Sequence, residues 1–210
     1  FYVNAYKALT GCKAMNYGIS GTTIAGDYAN AMCKRYATQL HNDLDMLIVF
    51  GGVNDFQGSE HSFPLGTFED ANLDGSLDTT FYGGLHTLMR GLHGKYNSTI
   101  PIVFLTPLHN QYSGRGEFDK EQYEADGTIV EKTYPLNVGT DNGAPMSDFV
   151  KAIKEVAEFY AIKVIDTHAI SGIQPLIATN GTAYTQDGLH LNQAGGELLA
   201  RVIQPLLENV

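Results

Sequence analysis

Near its C-terminal end the chain reads DGLHLNQAGG, residues 187 to 196, with Asp187 and His190 three positions apart. A neutral imidazole near pH 7 can take a proton from an alcohol and return it to a leaving group. A carboxylate beside it can hold the other ring nitrogen and fix the tautomer. Two further stretches supply hydrogen-bond donors. In GISGTT, residues 18–23, Gly21 offers a backbone N–H with no side chain in the way. In GGVNDF, residues 51–56, Asn54 offers a side-chain N–H, and Gly52 before it permits a tight turn. One donor from Gly21 and one from Asn54 would form an oxyanion hole, whose value comes from donors fixed before charge develops. Asp55 reads as the residue that closes the turn. Each motif alone has a plainer reading: a capped loop with a surface histidine, an Asx turn after a strand, or a loop leading into a helix. Their order and placement give them weight.

The elements that must position these residues follow from apolar patterning. Four short apolar runs read as strands: AMNYGIS (14–20), DMLIVFGG (45–52), IPIVFLTPL (100–108) and IKVIDTHA (162–169). Uninterrupted apolar runs of this length suit strands covered on both faces, as in parallel sheets. Helical spacing appears over 1–9 and over 25–40 (Tyr28, Met32, Tyr36, Leu40). It recurs over 78–93 (Phe81, Leu85, Leu88, Leu92) and 147–160, where Ser147 is the expected N-cap, and over 192–208, beginning at Asn192. Strand–helix alternation without a linker predicts one α/β domain over residues 1–210. In such folds ligands bind outside the carboxyl ends of the strands, where all three motifs fall. The Gly- and Tyr-rich stretch 109–146 reads as a long insertion that borders the site, and 57–77 as a shorter one.

The composition narrows the function classes. Of 210 residues, 43% are hydrophobic and 17% charged, which is globular. The 13 basic and 23 acidic residues give a net charge of −10, which argues against nucleic acid and anionic lipid as partners. No apolar stretch approaches membrane-spanning length. The seven histidines show no ligand spacing with Cys or carboxylates, so neither metal nor other cofactor is expected. Cys12 and Cys33 are expected as buried thiols, though one disulfide is open to them. Sequons at Asn97 and Asn180 and the lack of a visible signal peptide leave localisation open, and oligomeric state is equally open.

Gly after one strand, Gly-x-Asn-Asp after the next, and Asp-x-x-His before the last helix together resemble the SGNH, or GDSL-type, hydrolase family. The match runs from the strand at 14–20 to the last helix. The resemblance implies a three-layer α/β/α, flavodoxin-like fold with a parallel sheet ordered 2-1-3-4-5. It makes Gly21 and Asn54 the oxyanion donors, Asp187 the triad acid and His190 the triad base. It also exposes a departure. The family's nucleophile is the Ser of a Gly-Asp-Ser block at the end of the first strand, and no such block occurs here. GDY at 26–28 has Tyr28 in the Ser position and lies on the wrong side of Gly21. Ser20 is a weaker candidate, because it is followed by Gly21-Thr22 rather than the spacing of a nucleophile elbow. Of the family's five strands only the second to fifth are visible. The expectation is that the first strand and its Ser precede Phe1. The activity implied is esterase or acylhydrolase chemistry on a small-molecule or carbohydrate ester. The acidic balance and the polar insertion favour small acyl groups such as acetyl over long chains. Two alternatives remain at this point: a carbohydrate-binding module that lost its nucleophile, and a scaffolding domain of hydrolase ancestry.

Overall fold

The computed structural model describes residues 1–57, 63–71, 74–96, 99–111, 121–123, 129–131 and 144–208. In chain order the elements are α1 (Tyr2–Thr10), α2 (Met32–Gln39), β1 (Leu47–Phe50), α3 (Val53–Gln57), a 3₁₀ turn (Phe68–Asp70), α4 (Phe81–Tyr96), β2 (Ile102–Leu105), β3 (Glu121–Tyr123) and β4 (Ile129–Glu131). There follow α5 (Met146–Phe159), β5 (Lys163–Ile165), α6 (Thr167–Ile170), α7 (Ala178–Tyr184) and α8 (Gln193–Leu207). They fall into two compact units.

The unit formed by Tyr17–Pro107 and Asn137–Asp166 is mixed α/β, built on a parallel sheet ordered β1-β2-β5. Leu47 stands beside Ile102 and Phe50 beside Leu105, while Val103 and Leu105 stand beside Lys163 and Ile165. The strands are the apolar runs read from sequence, trimmed at their ends. Central β2 is buried at every position, as its IVFL sequence requires. β1 is equally apolar, yet Ile48, Val49 and Phe50 are only half-buried, and among the described residues no strand pairs along its outer edge. Against the sheet, α4 and α5 bring Phe81, Leu85, Leu88, Leu92, Phe149, Ile153 and Val156 into the core at helical spacing. Phe149 is the hub: its ring lies 4.9 Å from that of Phe81 and 5.8 Å edge-on to that of Phe56.

Several expectations are corrected here. The run 14–20 is not a strand. A strand needs a neighbour to take its amides and carbonyls. From Tyr17 onward the backbone bonds instead to side chains and to non-strand backbone: the Arg35 Nη1 donates to Tyr17 O at 2.8 Å, and Thr22 N donates to Ile19 O at 3.4 Å. The helix expected over 25–40 begins only at Met32, because the preceding residues belong to that same side-chain-bonded loop. Helix α5 starts one residue before Ser147, with Pro145 in the cap position, where a fixed φ suits helix entry. The last apolar run ends as a strand at Ile165, and its THA portion opens α6. Cys33 is buried but Cys12 is exposed, and both are free thiols.

The unit formed by Phe1–Asn16, Leu108–Leu136 and Thr167–Val210 packs α1 and α7 against α8, and also holds the antiparallel pair β3–β4. The asparagine expected to open the last helix does so: Asn192 Oδ1 accepts from Gly195 N at 2.9 Å. Its Nδ2 donates to Ala183 O at 2.9 Å, which ties the end of α7 to the start of α8. Asn180, one of the two sequons, has its amide bonded to Gln174 N and Gly172 O, whereas Asn97 lies outside the described residues.

One buried histidine gives the fold a pH dependence. His86 lies between Phe68 O (3.0 Å) and Tyr160 OH (3.3 Å), edge-on to the rings of Phe68 and Phe159. Burial is the main cause of a pKa held below the ordinary 6.5, with the Arg90 charge adding to it, while the Phe68 carbonyl and Asp70 partly oppose it. A depressed histidine folds best uncharged, so its contribution is complete above the unfolded value and shrinks as pH falls below it. The expected result is a urea midpoint that declines from pH 7 to pH 5, with a shallower decline in His86→Gln. Identical slopes in the two proteins would assign the acid sensitivity elsewhere.

Candidate active site

Asp187 and His190 sit at the tip of a tight loop. The loop is closed by a bridge between Thr185 and Leu191 and by Gln186 N donating to His190 O at 2.8 Å. Gly188 makes the tip possible. Its φ is +78°, a left-handed conformation, and an added Cβ would lie 3.0 Å from the Gln111 side chain. Gln111 N donates to Gly188 O at 2.9 Å, so the residues after β2 brace the loop from outside.

Within the loop the two side chains meet. His190 Nδ1 lies 2.7 Å from Asp187 Oδ2. The other carboxylate oxygen, Oδ1, accepts from His190 N at 2.7 Å and Leu189 N at 3.0 Å. Partial burial pushes the Asp187 carboxyl up, but the His190 ring and these two amides outweigh it and hold its pKa below the ordinary range. An ionised carboxylate only accepts, so Nδ1 is the ring nitrogen that carries the proton. Nε2 then presents its lone pair, the arrangement of a general base. Both side chains are more than half exposed, so the pair meets solvent directly.

Gly21 and Asn54 come together in the other unit. β1 ends at Phe50, and the chain turns through Gly52 into α3. Gly52 has φ +101°, and a Cβ there would lie 3.2 Å from Pro107 and 3.3 Å from Phe81, so both backbone and space call for glycine. Asn54, on the first turn of α3, donates from Nδ2 to Thr22 O at 2.8 Å. That bond uses one of its two amide hydrogens. Gly21 is exposed, with φ +75°, on the turn that precedes Thr22. Ser20 is exposed in the same turn.

Asp55 was read from sequence as a turn residue, and its role is larger. The carboxylate is fully buried and accepts from Ile24 N and Ala25 N, each at 2.9 Å. The only sequence signal was its adjacency to Asn54. Among the described residues no group of three or more His, Cys, Asp or Glu could hold a metal ion, and no helix is long and apolar enough to cross a membrane. The insertion 109–146 lies largely outside the described residues.

The structure therefore forms two pairs, Asp187 with His190 and Asn54 with the Gly21 turn. Comparison with known proteins gives them a common context. The description of the GDSL-like lipase/acylhydrolase family matches residues 2–198. A crystal structure of a Lactobacillus plantarum protein is 31% identical, with a TM-score of 0.72, covering 92% of this chain and 80% of that one. The structure of a possible lipase from Chitinophaga pinensis is 18% identical, with a TM-score of 0.67 and coverage of 99% and 88%. A mutant acetyl-xylooligosaccharide esterase from Geobacillus is 17% identical, with a TM-score of 0.55 and coverage of 97% and 77%. These last two likenesses speak to the fold alone. Nothing matches among curated proteins. With a family match across nearly its whole length and the family's fold, the chain belongs to the GDSL-like lipase/acylhydrolase family.

Proposed function

We propose that the chain is the body of a serine esterase that hydrolyses small acyl esters. The observation that carries this reading is the Asp187–His190 pair: a 2.7 Å ring-to-carboxylate contact on a braced loop, with Nε2 left to move a proton. In the proposed reaction a serine hydroxyl attacks the ester carbonyl, and His190 Nε2 takes its proton. Asp187 holds the imidazole in the right tautomer and offsets the charge it gains. The Gly21 amide and the second Asn54 hydrogen bind the oxyanion. His190 returns the proton to the leaving alcohol, and water then releases the acyl group by the same steps in reverse order.

The nucleophile is proposed to come from a strand paired along the outer edge of β1. Support comes from the mismatch on that strand. An LIVF run suits a strand covered on both sides, yet three of its four residues are only half-buried, and the family's first strand belongs on that edge. For substrate, an acetyl or similarly short acyl group on a sugar is proposed. The acidic composition disfavours an anionic lipid surface, and the Geobacillus relative in fold is named for an acetylated sugar.

The test is Asn54→Ala in the natural polypeptide with p-nitrophenyl acetate. Losing one oxyanion donor is expected to lower kcat by roughly two to three orders of magnitude. A wild-type enzyme that turns the ester over and a variant that matches it would remove Asn54 from the site.

A further inference from the structure

Asp55 has the wrong partners for a residue that only closes its own turn. Its acceptor oxygens reach residues 30 and 31 positions earlier in the chain, Oδ1 to Ala25 N and Oδ2 to Ile24 N. Next to it, Asn54 reaches Thr22 O. Two consecutive side chains at the start of α3 thus grip three points within four residues, just after Gly21. Arg35 holds the same segment from behind, through Tyr17 O at 2.8 Å and Thr22 Oγ1 at 3.4 Å. The segment has no strand ladder; besides these side chains, Met32 N donates to Thr23 O at 2.9 Å and Cys33 N to Ile24 O at 3.1 Å, both from the start of α2.

The choice of a carboxylate is costly. Asp55 is wholly buried, and among the described residues no ion pair reaches it. Burial pushes its pKa up to about 7 against the pull of the backbone amides. A serine or asparagine would close a local turn without that desolvation. Only a carboxylate offers two acceptor atoms to two successive N–H groups with no hydrogen of its own in the way.

We infer that Asp55 is a positioning residue for the oxyanion donors, fixing the Gly21 turn against α3 so that the Gly21 amide and the Asn54 amide keep a set separation. The inference rests on the reading of Gly21 and Asn54 as those donors. Asp55 touches no substrate. It acts through the backbone of Ile24 and Ala25, and preset donors need this rigidity because they must not reorganise as charge develops.

The test compares wild type, Asp55→Asn, Asn54→Ala and the double variant in the natural polypeptide, by steady-state kinetics on p-nitrophenyl acetate and amide hydrogen exchange. Asp55→Asn leaves one amide facing an NH₂ group. It is expected to lower kcat about 10- to 100-fold, the scale of a misplacement near 1 Å, with KM within about twofold. The same change on the Asn54→Ala background is expected to cost less, because one of the donors it positions is gone. Ile24 and Ala25 amides should lose protection while those of β2 keep theirs. An equal kcat loss on both backgrounds, or a folded Asp55→Asn with wild-type kcat, overturns the inference and leaves the esterase reading standing. A wild-type protein without turnover removes the esterase reading and the inference with it. If Asp55→Asn does not fold, wild-type exchange decides. Protection of Ile24 and Ala25 comparable to β2 supports the grip, and exchange at loop rates overturns it.

Discussion

His190→Ala is expected to lower hydrolysis of p-nitrophenyl acetate by roughly 10⁴-fold or more, with unfolding unchanged. General base, nucleophile and acid act as one unit, so removing the base costs nearly as much as removing the whole set. The residual rate is what an oxyanion hole and binding supply alone. Stability should not move, because the side chain is more than half exposed and, among the described residues, its only side-chain partner is Asp187. Asp187→Asn should show a smaller loss. It keeps the loop's amide contacts through its remaining oxygen but no longer holds an Nδ1 proton with a charge. The measurement is kcat and kcat/KM for the three proteins beside their urea midpoints. A His190→Ala enzyme within tenfold of wild type would show that the loop geometry is a turn motif and nothing more.

Phe149→Ala is the second large effect, and it falls on stability. Phe149 is fully buried in α5 and packs against both Phe56 and Phe81. Truncating such a ring removes its transfer free energy and leaves a cavity that neighbouring helices fill only in part, for a loss of about 3–5 kcal/mol. Phe56 lies on α3, beside Asp55 and two residues from Asn54. The cavity therefore opens directly under the segment that presents the proposed oxyanion donor, and kcat should fall as well. Chemical denaturation measures the first effect. A loss under about 1 kcal/mol would mean that the three rings repack without one of their members.

Some of this was legible in sequence because the relevant physics is local. Asp187 and His190 are three residues apart, so a short loop brings them together whatever the rest of the chain does. The apolar runs of β1, β2 and β5 declare themselves, since only a strand covered on both sides can use IVFL. Asn192 announces the start of α8 by the same short-range logic. The run at 14–20 misled because strand formation is decided by a neighbour. Tyr17 O is taken by Arg35, the residues just after the run by Asn54 and Asp55, and an apolar pattern containing Gly18 has no ladder to join among the described residues. Asp55 was underread for the related reason that its partners lie 30 residues away, a distance no local pattern reports. The left-handed glycines fall between these cases. Gly52 was predicted from its place after a strand, whereas the need for Gly188 became visible only once Gln111 was seen against it.

The central claim is that Asp187 and His190 serve an activated serine. The most direct measurement is reaction of the natural polypeptide with a fluorophosphonate, followed by mass spectrometry of the intact protein and its peptides. The account predicts one adduct per chain, on a serine at the end of a strand paired with β1, formed quickly in wild type and lost in His190→Ala. Absence of any adduct in a folded protein, or an adduct that forms equally well without His190, would contradict it.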